Sequence, residues 1–448
     1  YIARYLPVGR YSVTVQSSGF KRYARNGIDL TAGQVAHVDV SLEVGAAAET
    51  ITVSAELPQV NTSTSTLEAL IDTRRLVDLP GGRNILSLAS LTPAVTRVSL
   101  AGGPSSGQQT INVNGNRSYS TNIMLDGGSM FYGHRGQGLV QPPPEAVQEI
   151  KVITSGVGAE FGRGSAVVSA VTKSGTNQFH GSAWDYLQND KLDTRSSYFI
   201  FTVPKRRYNQ FGAVLGGPIV RNKAFFFASY TGYESRSDAV QSSAFPPTAE
   251  ERTGDFSRTA GTKPNDPLTK LPFPNGIIDA SRLDPGAVKL AGRFPLPNGP
   301  NGQYIKQLST PTNIHTGTGR VDYDVRAGDR SSVRYFIDDP ATSNGFGNSN
   351  IDGYAPRRTR DRSQNIVVNH IHTFTPSLVL NARFGWTRFL YSDENVVNLT
   401  LADFGSKFTI SGGPGGLLAL VIPGRMSAGT VKDGIRYSRT HETGGDLS

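Results

Sequence analysis

The chain has 448 residues, a formal charge of +9, 37% hydrophobic residues, 50 glycines and no cysteine. No apolar run approaches the roughly 18–20 residues of a membrane helix, which excludes helical spanning and leaves spanning by β-strands open. The basic residues are scattered, with small clusters at 205–207 and 357–362, so the charge points to anionic lipid headgroups and not to nucleic acid.

The length has room for about two or three domains. The start at Tyr1 and the Gly-rich polar end at Ser448 read as a chain truncated at both ends. Absence of cysteine suits passage through an oxidising periplasm.

In chain order, Tyr11–Val15 and Val35–Val44 alternate and read as strands. ETITVSA (49–55) sets Ile51, Val53 and Ala55 against Thr50, Thr52 and Ser54, a strand-competent stretch isolated between VGAAA and a polar tract. Residues 71–95 offer two short helices separated by Pro-Gly-Gly, with Ile85, Leu88 and Ala89 on one face. INVNGNRSYSTNIMLDGG (111–128) reads as two short strands around a polar loop. PPPEAVQEIKVITS (142–155) reads as a short helix entering a strand, and 159–177 as a strand pair punctuated by glycine.

From 177 onward the rhythm changes to long strands with one apolar and one charged face. Val321, Tyr323 and Val325 alternate with Arg320, Asp322, Asp324 and Arg326, while Leu378, Leu380, Ala382, Phe384 and Trp386 alternate with Asn381, Arg383 and Thr387. The strands predicted at 177–190, 207–219, 223–235, 313–326, 331–339, 363–374 and 378–389 are joined by short and long connections in alternation. That pattern is the rule of outer-membrane barrels, with short turns on the periplasmic side and long loops outside. About seven strands close no large barrel, so more are expected beyond Ser448.

Several of these segments carry a resemblance. DLPGGRNILSLASLTPAV, NGNRSYSTNIMLDG, AEFGRGSAVVSAVTKSGTNQFHGSAW and NQFGAVLGGPIVRNKAFFFASYTGYE resemble the plug and first barrel strands of TonB-dependent outer-membrane receptors, most closely the Oar-like branch. LPVGRYSVTVQSSGF resembles the non-catalytic carboxypeptidase regulatory-like module, a transthyretin-like β-sandwich lacking here its first strands. The expected fold is therefore mainly β: a partial sandwich at 1–45, a linker at 46–66, an α+β plug at 67–176, and the first part of a transmembrane antiparallel barrel at 177–448. The resemblance implies a 22-stranded barrel occluded by the plug. It also implies location in the outer membrane of a Gram-negative cell, among outer-membrane lipid and lipopolysaccharide. Active transport would be driven by TonB with ExbB and ExbD, for a small or oligomeric ligand that no motif selects.

The resemblance gives ETITVSA the role of a TonB box, carried by Thr50, Ile51, Thr52, Val53, Ser54 and Ala55. An unpaired strand can add to a partner's sheet edge through main-chain hydrogen bonds. The bland alternative is a last strand of the N-terminal sandwich. The loop 128–138 offers Phe131, Tyr132, His134 and Arg135 as ligand contacts, against the simpler reading of a solvated loop. Arg320, Asp322, Asp324, Arg326, Arg334 and Arg383 are expected to line the lumen and dock the plug. The loop 236–312 is a further candidate for specificity. His370 and His372 have a metal-ligand spacing, yet no third ligand is apparent, so they read as a barrel-wall pair and no metal site is assigned. No nucleophile, acid–base set or cofactor motif stands out, and no enzymatic activity is expected. The rival functions are an Oar-type exporter of a protein cargo and a soluble multidomain protein that binds carbohydrate.

Overall fold

The computed structural model describes residues 6, 9–30, 36–45, 50–53, 66–72, 75–76, 85–98, 110–117, 120–132, 137–138, 142–162, 164–192, 206–259, 261, 263–309, 311–326, 328–344, 357–375, 378–395, 400–407, 420–428 and 436–447. Three sheets carry the architecture.

The first is small. Strands β1 (Gly9–Val15) and β2 (Arg22–Leu30) pair antiparallel, and β3 (Thr50–Val53) pairs parallel to β2, so the order is β1-β2-β3. This corrects two expectations. The alternating residues 36–44 form no strand, apart from a bridge between Val44 and Phe20. The segment 50–53 is not isolated: Arg22 to Arg25 take it as an edge strand. Alternation alone does not make a strand, because the backbone also needs a partner edge, and β2 gives its edge to β3.

The second sheet builds the plug from β4 (Leu67–Asp72), β7 (Thr121–Leu125), β8 (Gly128–Ser129), β11 (Val147–Ser155) and β12 (Ala166–Thr172), in the order β4-β11-β12-β7-β8. Between these lie β5 (Val95–Val98) with β6 (Thr110–Val113), and β9 (Phe131–Tyr132) with β10 (Gln137–Gly138). Central β12 is apolar almost throughout and buried, whereas β11 buries Glu149 and Lys151 among Val147, Ile150, Val152 and Ile153, with Lys151 paired to Glu68 at 2.7 Å. Helix α1 (Ile85–Ala89) is wholly buried and packs on β11 and β5. The expected strand pair at 159–177 is one strand, β12, after a single 3-10 turn at Ala159–Phe161.

The third sheet is the barrel wall: β13 (His180–Asn189), β14 (Arg206–Val220), β15 (Ala224–Ala244), β17 (Thr312–Arg326), β18 (Asp329–Asn344), β19 (Arg357–Thr375), β20 (Leu378–Asn395) and β23 (Arg436–Leu447) pair in that order. A further strand, β16 (Tyr304–Ser309), pairs with the far end of β15, and a small hairpin joins β21 (Leu420–Ile422) to β22 (Met426–Ala428). The sequence indicates about seven barrel strands; β23 is an eighth long one, and its polar RYSRTHETGGDL lacks the apolar stripe that marks the others. Strands of 15 to 21 residues exceed the roughly 9–11 needed to cross a bilayer, so they extend beyond it. Among the described residues no helix is long and apolar enough to cross a membrane.

The wall's polarity decides its setting. Thr316, Thr318, Asp322, Arg334 and Asp338 are buried, whereas Val321, Tyr323, Val333 and Tyr335 on alternate positions are exposed. A soluble sheet does the reverse. An apolar outer band over a polar interior is the signature of a wall facing lipid.

Beyond the long-loop end, residues 244–252 and 285–294 pack with residues 401–404 and 422–426. Ala244, Phe294, Phe404 and Met426 form a small core, and Arg425 grips Glu251 with both terminal nitrogens at 2.9–3.1 Å.

Candidate functional site

The plug meets the wall at one tight turn. Strands β7 and β8 are joined by Asp126 and Gly127, both at positive φ (50° and 79°). Such a pair makes the two-residue hairpin turn that favours Asp-Gly, and Asp tolerates the left-handed conformation better than most residues. The turn pushes the Asp126 carboxylate outward while its amide bonds Ala170 O at 2.9 Å.

That carboxylate is shared between plug and barrel. Within the plug it accepts from Thr172 N at 2.8 Å and Thr172 Oγ1 at 2.9 Å. From the wall it accepts Arg334 Nε at 3.0 Å and Arg320 Nη1 at 3.3 Å. Arg334 is only 2% exposed and also donates Nη2 to Leu125 O at 2.7 Å. Arg320 bonds Thr172 O at 3.0 Å and forks onto Asp322 at 2.8 and 2.9 Å, and Asp322 takes Ser174 Oγ at 2.7 Å. Buried charges are tolerable only when paired and hydrogen-bonded, as here.

The contact widens across two more strands. Arg383 lies against Gly127, so closely that a Cβ there would fall 2.5 Å from its guanidinium carbon. Val367 likewise closes on Gly128, and Thr387 Oγ1 donates to Ser129 O at 3.1 Å. Glycine at 127 and 128 thus allows the hairpin to reach the wall. Phe336 of β18 is fully buried and joins the plug's own apolar core beside Leu125 and Met130.

The structure sorts the wall residues anticipated from the sequence. Arg320, Arg334 and Arg383 touch the plug hairpin, and Asp322 reaches the plug through Ser174. Asp324 pairs instead with Arg330 at 2.9 Å. A register shift between Asp324 and Arg326 turns Arg326 off the lumen row onto Asp329. Asp126, Thr172 and Phe336 were not singled out by sequence; the Asp-Gly turn signal marked the first, but its partner Arg334 lies 208 residues away. Of the loop candidates, Phe131 and Tyr132 lie in β9, paired with β10, whereas His134 and Arg135 lie outside the described residues. Thr50, Ile51, Thr52 and Val53 form β3, and Ser54 and Ala55 also lie outside. His370 and His372 gain a carboxylate neighbour in Asp329.

Comparison with known proteins accords with this geometry. Residues 171–445 match the family model described as outer membrane beta barrel domain, and residues 59–168 match the TonB-dependent receptor plug domain. The TonB-dependent transporter Oar of Myxococcus xanthus is 31% identical over 250 residues, 51% of this chain and 23% of that protein. The ferrienterobactin receptor of Escherichia coli K12 is 26% identical over 189 residues, 37% of this chain and 24% of that protein. The matches therefore span about a quarter of those relatives' length. Among solved structures, the outer membrane transporter YddB from Escherichia coli superposes with a TM-score of 0.51 at 11% identity, covering 84% of this chain and 44% of that one, a likeness of fold. The chain belongs to the outer-membrane β-barrel family of the TonB-dependent receptors, as a receptor plug domain followed by barrel strands of the Gram-negative outer membrane.

Proposed function

We propose that the chain works in TonB-energised transport of a ligand across the outer membrane, with the Asp126 hairpin as the latch between plug and wall. The observation that carries this reading is the shared carboxylate. One turn of the plug accepts bonds from two wall arginines and from Thr172 of its own neighbouring strand. A pull on the plug must break these together, so the path opens as a step and not by gradual loosening. Arg320, Asp322, Arg334 and Arg383 then serve docking, and Phe131, Tyr132, His134 and Arg135 remain the proposed ligand contacts.

The pull would enter at residues 49–55. Strand β3 has β2 on one side and no partner on the other among the described residues. An edge strand presents unpaired N–H and C=O groups, the feature a partner's sheet can use. In the resting state the box is docked on β2, and TonB engages its open edge or displaces it. Strands β1 and β2, which hold it, are assigned to a carboxypeptidase regulatory-like module at 1–45. Membership of the receptor family leaves no support for the soluble carbohydrate-binding alternative.

The test is capture of TonB's periplasmic domain by the chain in outer-membrane vesicles. Deletion of residues 49–55 is expected to abolish capture; capture at the native level by the deletion variant sinks the assignment of the box.

A further inference from the structure

The HIH stretch of β19 is not absorbed by the transport reading. His370 and His372 lie two residues apart, on one face of the strand, with rings 6.4 Å apart and 11° from parallel. That face is the outward one: it carries Val368 and Ile366, opposite Val333 and Tyr335, away from the plug. The paired strand β18 brings Ser331 opposite His370 and Asp329 opposite His372. The unbroken register of β18 with β19 sets Asp329 there, at the short-turn end of the wall.

We propose that Asp329, His370 and His372 form a binding site for a divalent transition-metal ion such as Zn2+. One ligand atom from each lies within 4.8 Å of the other two. Tetrahedral Zn2+ with bonds near 2.0–2.2 Å needs donors about 3.4 Å apart, so small side-chain rotations bring the three into place. Two imidazoles and a carboxylate suit Zn2+, Cu2+ or Ni2+; Mg2+ and Ca2+ prefer all-oxygen sets. Asp329 is 5% exposed, so a bound cation would sit beside a charge already shielded from water. Ser331 Oγ, 2.9 Å from His370 Nδ1, and the edge of Phe374, with its centroid 4.1 Å from that of His372, hold the two rings. Supporting contacts of this kind fix ligating imidazoles.

Without metal, Asp329 bonds both His372 and Arg326. Arg326 is the competitor: its guanidinium is largely exposed and free to swing into solvent when a dication takes the carboxylate. Bound metal would bridge β18 to β19 beside the turn that links β17 to β18.

The experiment is a titration of the chelator-treated full chain, in detergent, with ZnCl2 by calorimetry and with CoCl2 by visible absorption. Folding of each variant is checked by heat-dependent gel mobility. The native chain is expected to bind one equivalent, with the Co2+ bands of a low-symmetry site. His370→Gln and His372→Gln should each weaken binding by at least the roughly 10–100-fold that loss of a supporting partner costs. Arg326→Ala should tighten it, and His315→Gln, on another part of the outer face, should leave it unchanged. Absence of binding by the native chain, or binding by folded His370→Gln and His372→Gln equal to the native, overturns the site.

Discussion

The plug sheet and the barrel wall use the same residue types in opposite ways. In the plug, Ile150, Val152 and Val168 are buried inside. In the wall, Val321, Val333 and Phe384 point out, and Thr318, Asn365 and Arg334 are inside. The difference is the solvent. The plug's sheet hides apolar surface from water, whereas the wall offers it to hydrocarbon and keeps polar groups for the lumen. Phe336 and Asp126 are where the two logics meet: an aromatic on a barrel strand turned inward to the plug core, and a plug carboxylate turned outward to wall arginines.

The comparison can be broken most strongly at Asp126. Asp126→Ala leaves Arg320 and Arg334 buried without their shared partner, and should cost about 3–5 kcal/mol of plug docking. Protease sensitivity of the plug, with the barrel still resistant, is the readout. Next, two phenylalanines on wall strands should behave unlike each other. Phe336→Ala opens a cavity in the plug core and should cost about 3–5 kcal/mol, whereas Phe384→Ala, on the lipid face, should leave plug unfolding unchanged in denaturant melts. Val333→Arg should lower barrel stability by about 2–4 kcal/mol if that position lies near the bilayer midplane, and leave plug proteolysis unaltered.

The smallest effect lies outside the membrane, where the packed loops depend on ionised carboxylates. Burial alone would raise the pKa of Glu251, but bonds from Arg425, Thr259 and Thr248 outweigh it and hold the carboxyl below its usual range. A depressed carboxyl contributes stability above its unfolded value, about 4.3, and loses it as pH falls through the folded value. Bonding by Arg282 holds Asp266 still lower, at about 2. The two packed loops should therefore loosen as pH falls below the ordinary carboxylate range and Glu251 is protonated, seen as hydrogen exchange around Phe294 and Met426, whereas the Asp266–Arg282 pair lies within one loop and does not hold the two together. Arg425→Ala should cost about 1.5–3 kcal/mol at neutral pH and shrink the acid effect.

Much of the wall was legible because period-two alternation survives in each strand and tight turns mark one end. Strand β23 escaped notice since its residues are polar on both faces, and β2 since Arg22, Arg25 and Gly27 break any apolar stripe. VAHVDVSLEV misled in the opposite sense, alternating well without a partner edge. The plug–wall latch was half legible. Lumen arginines follow from alternation, but which carboxylate they meet depends on how the plug seats in the wall, which local pattern does not encode. Asp329 was hidden for a related reason, being brought to His372, 43 residues away, by the pairing of β18 with β19.

The central claim is that Asp126 latches the plug through Arg334. A double-mutant cycle of Asp126→Asn and Arg334→Gln, read as hydrogen-exchange protection of the β7–β8 amides, tests it most directly. The account predicts a coupling of about 1.5 kcal/mol or more, within the range for residues sharing one network. Effects that simply add, within about 0.5 kcal/mol, would contradict it.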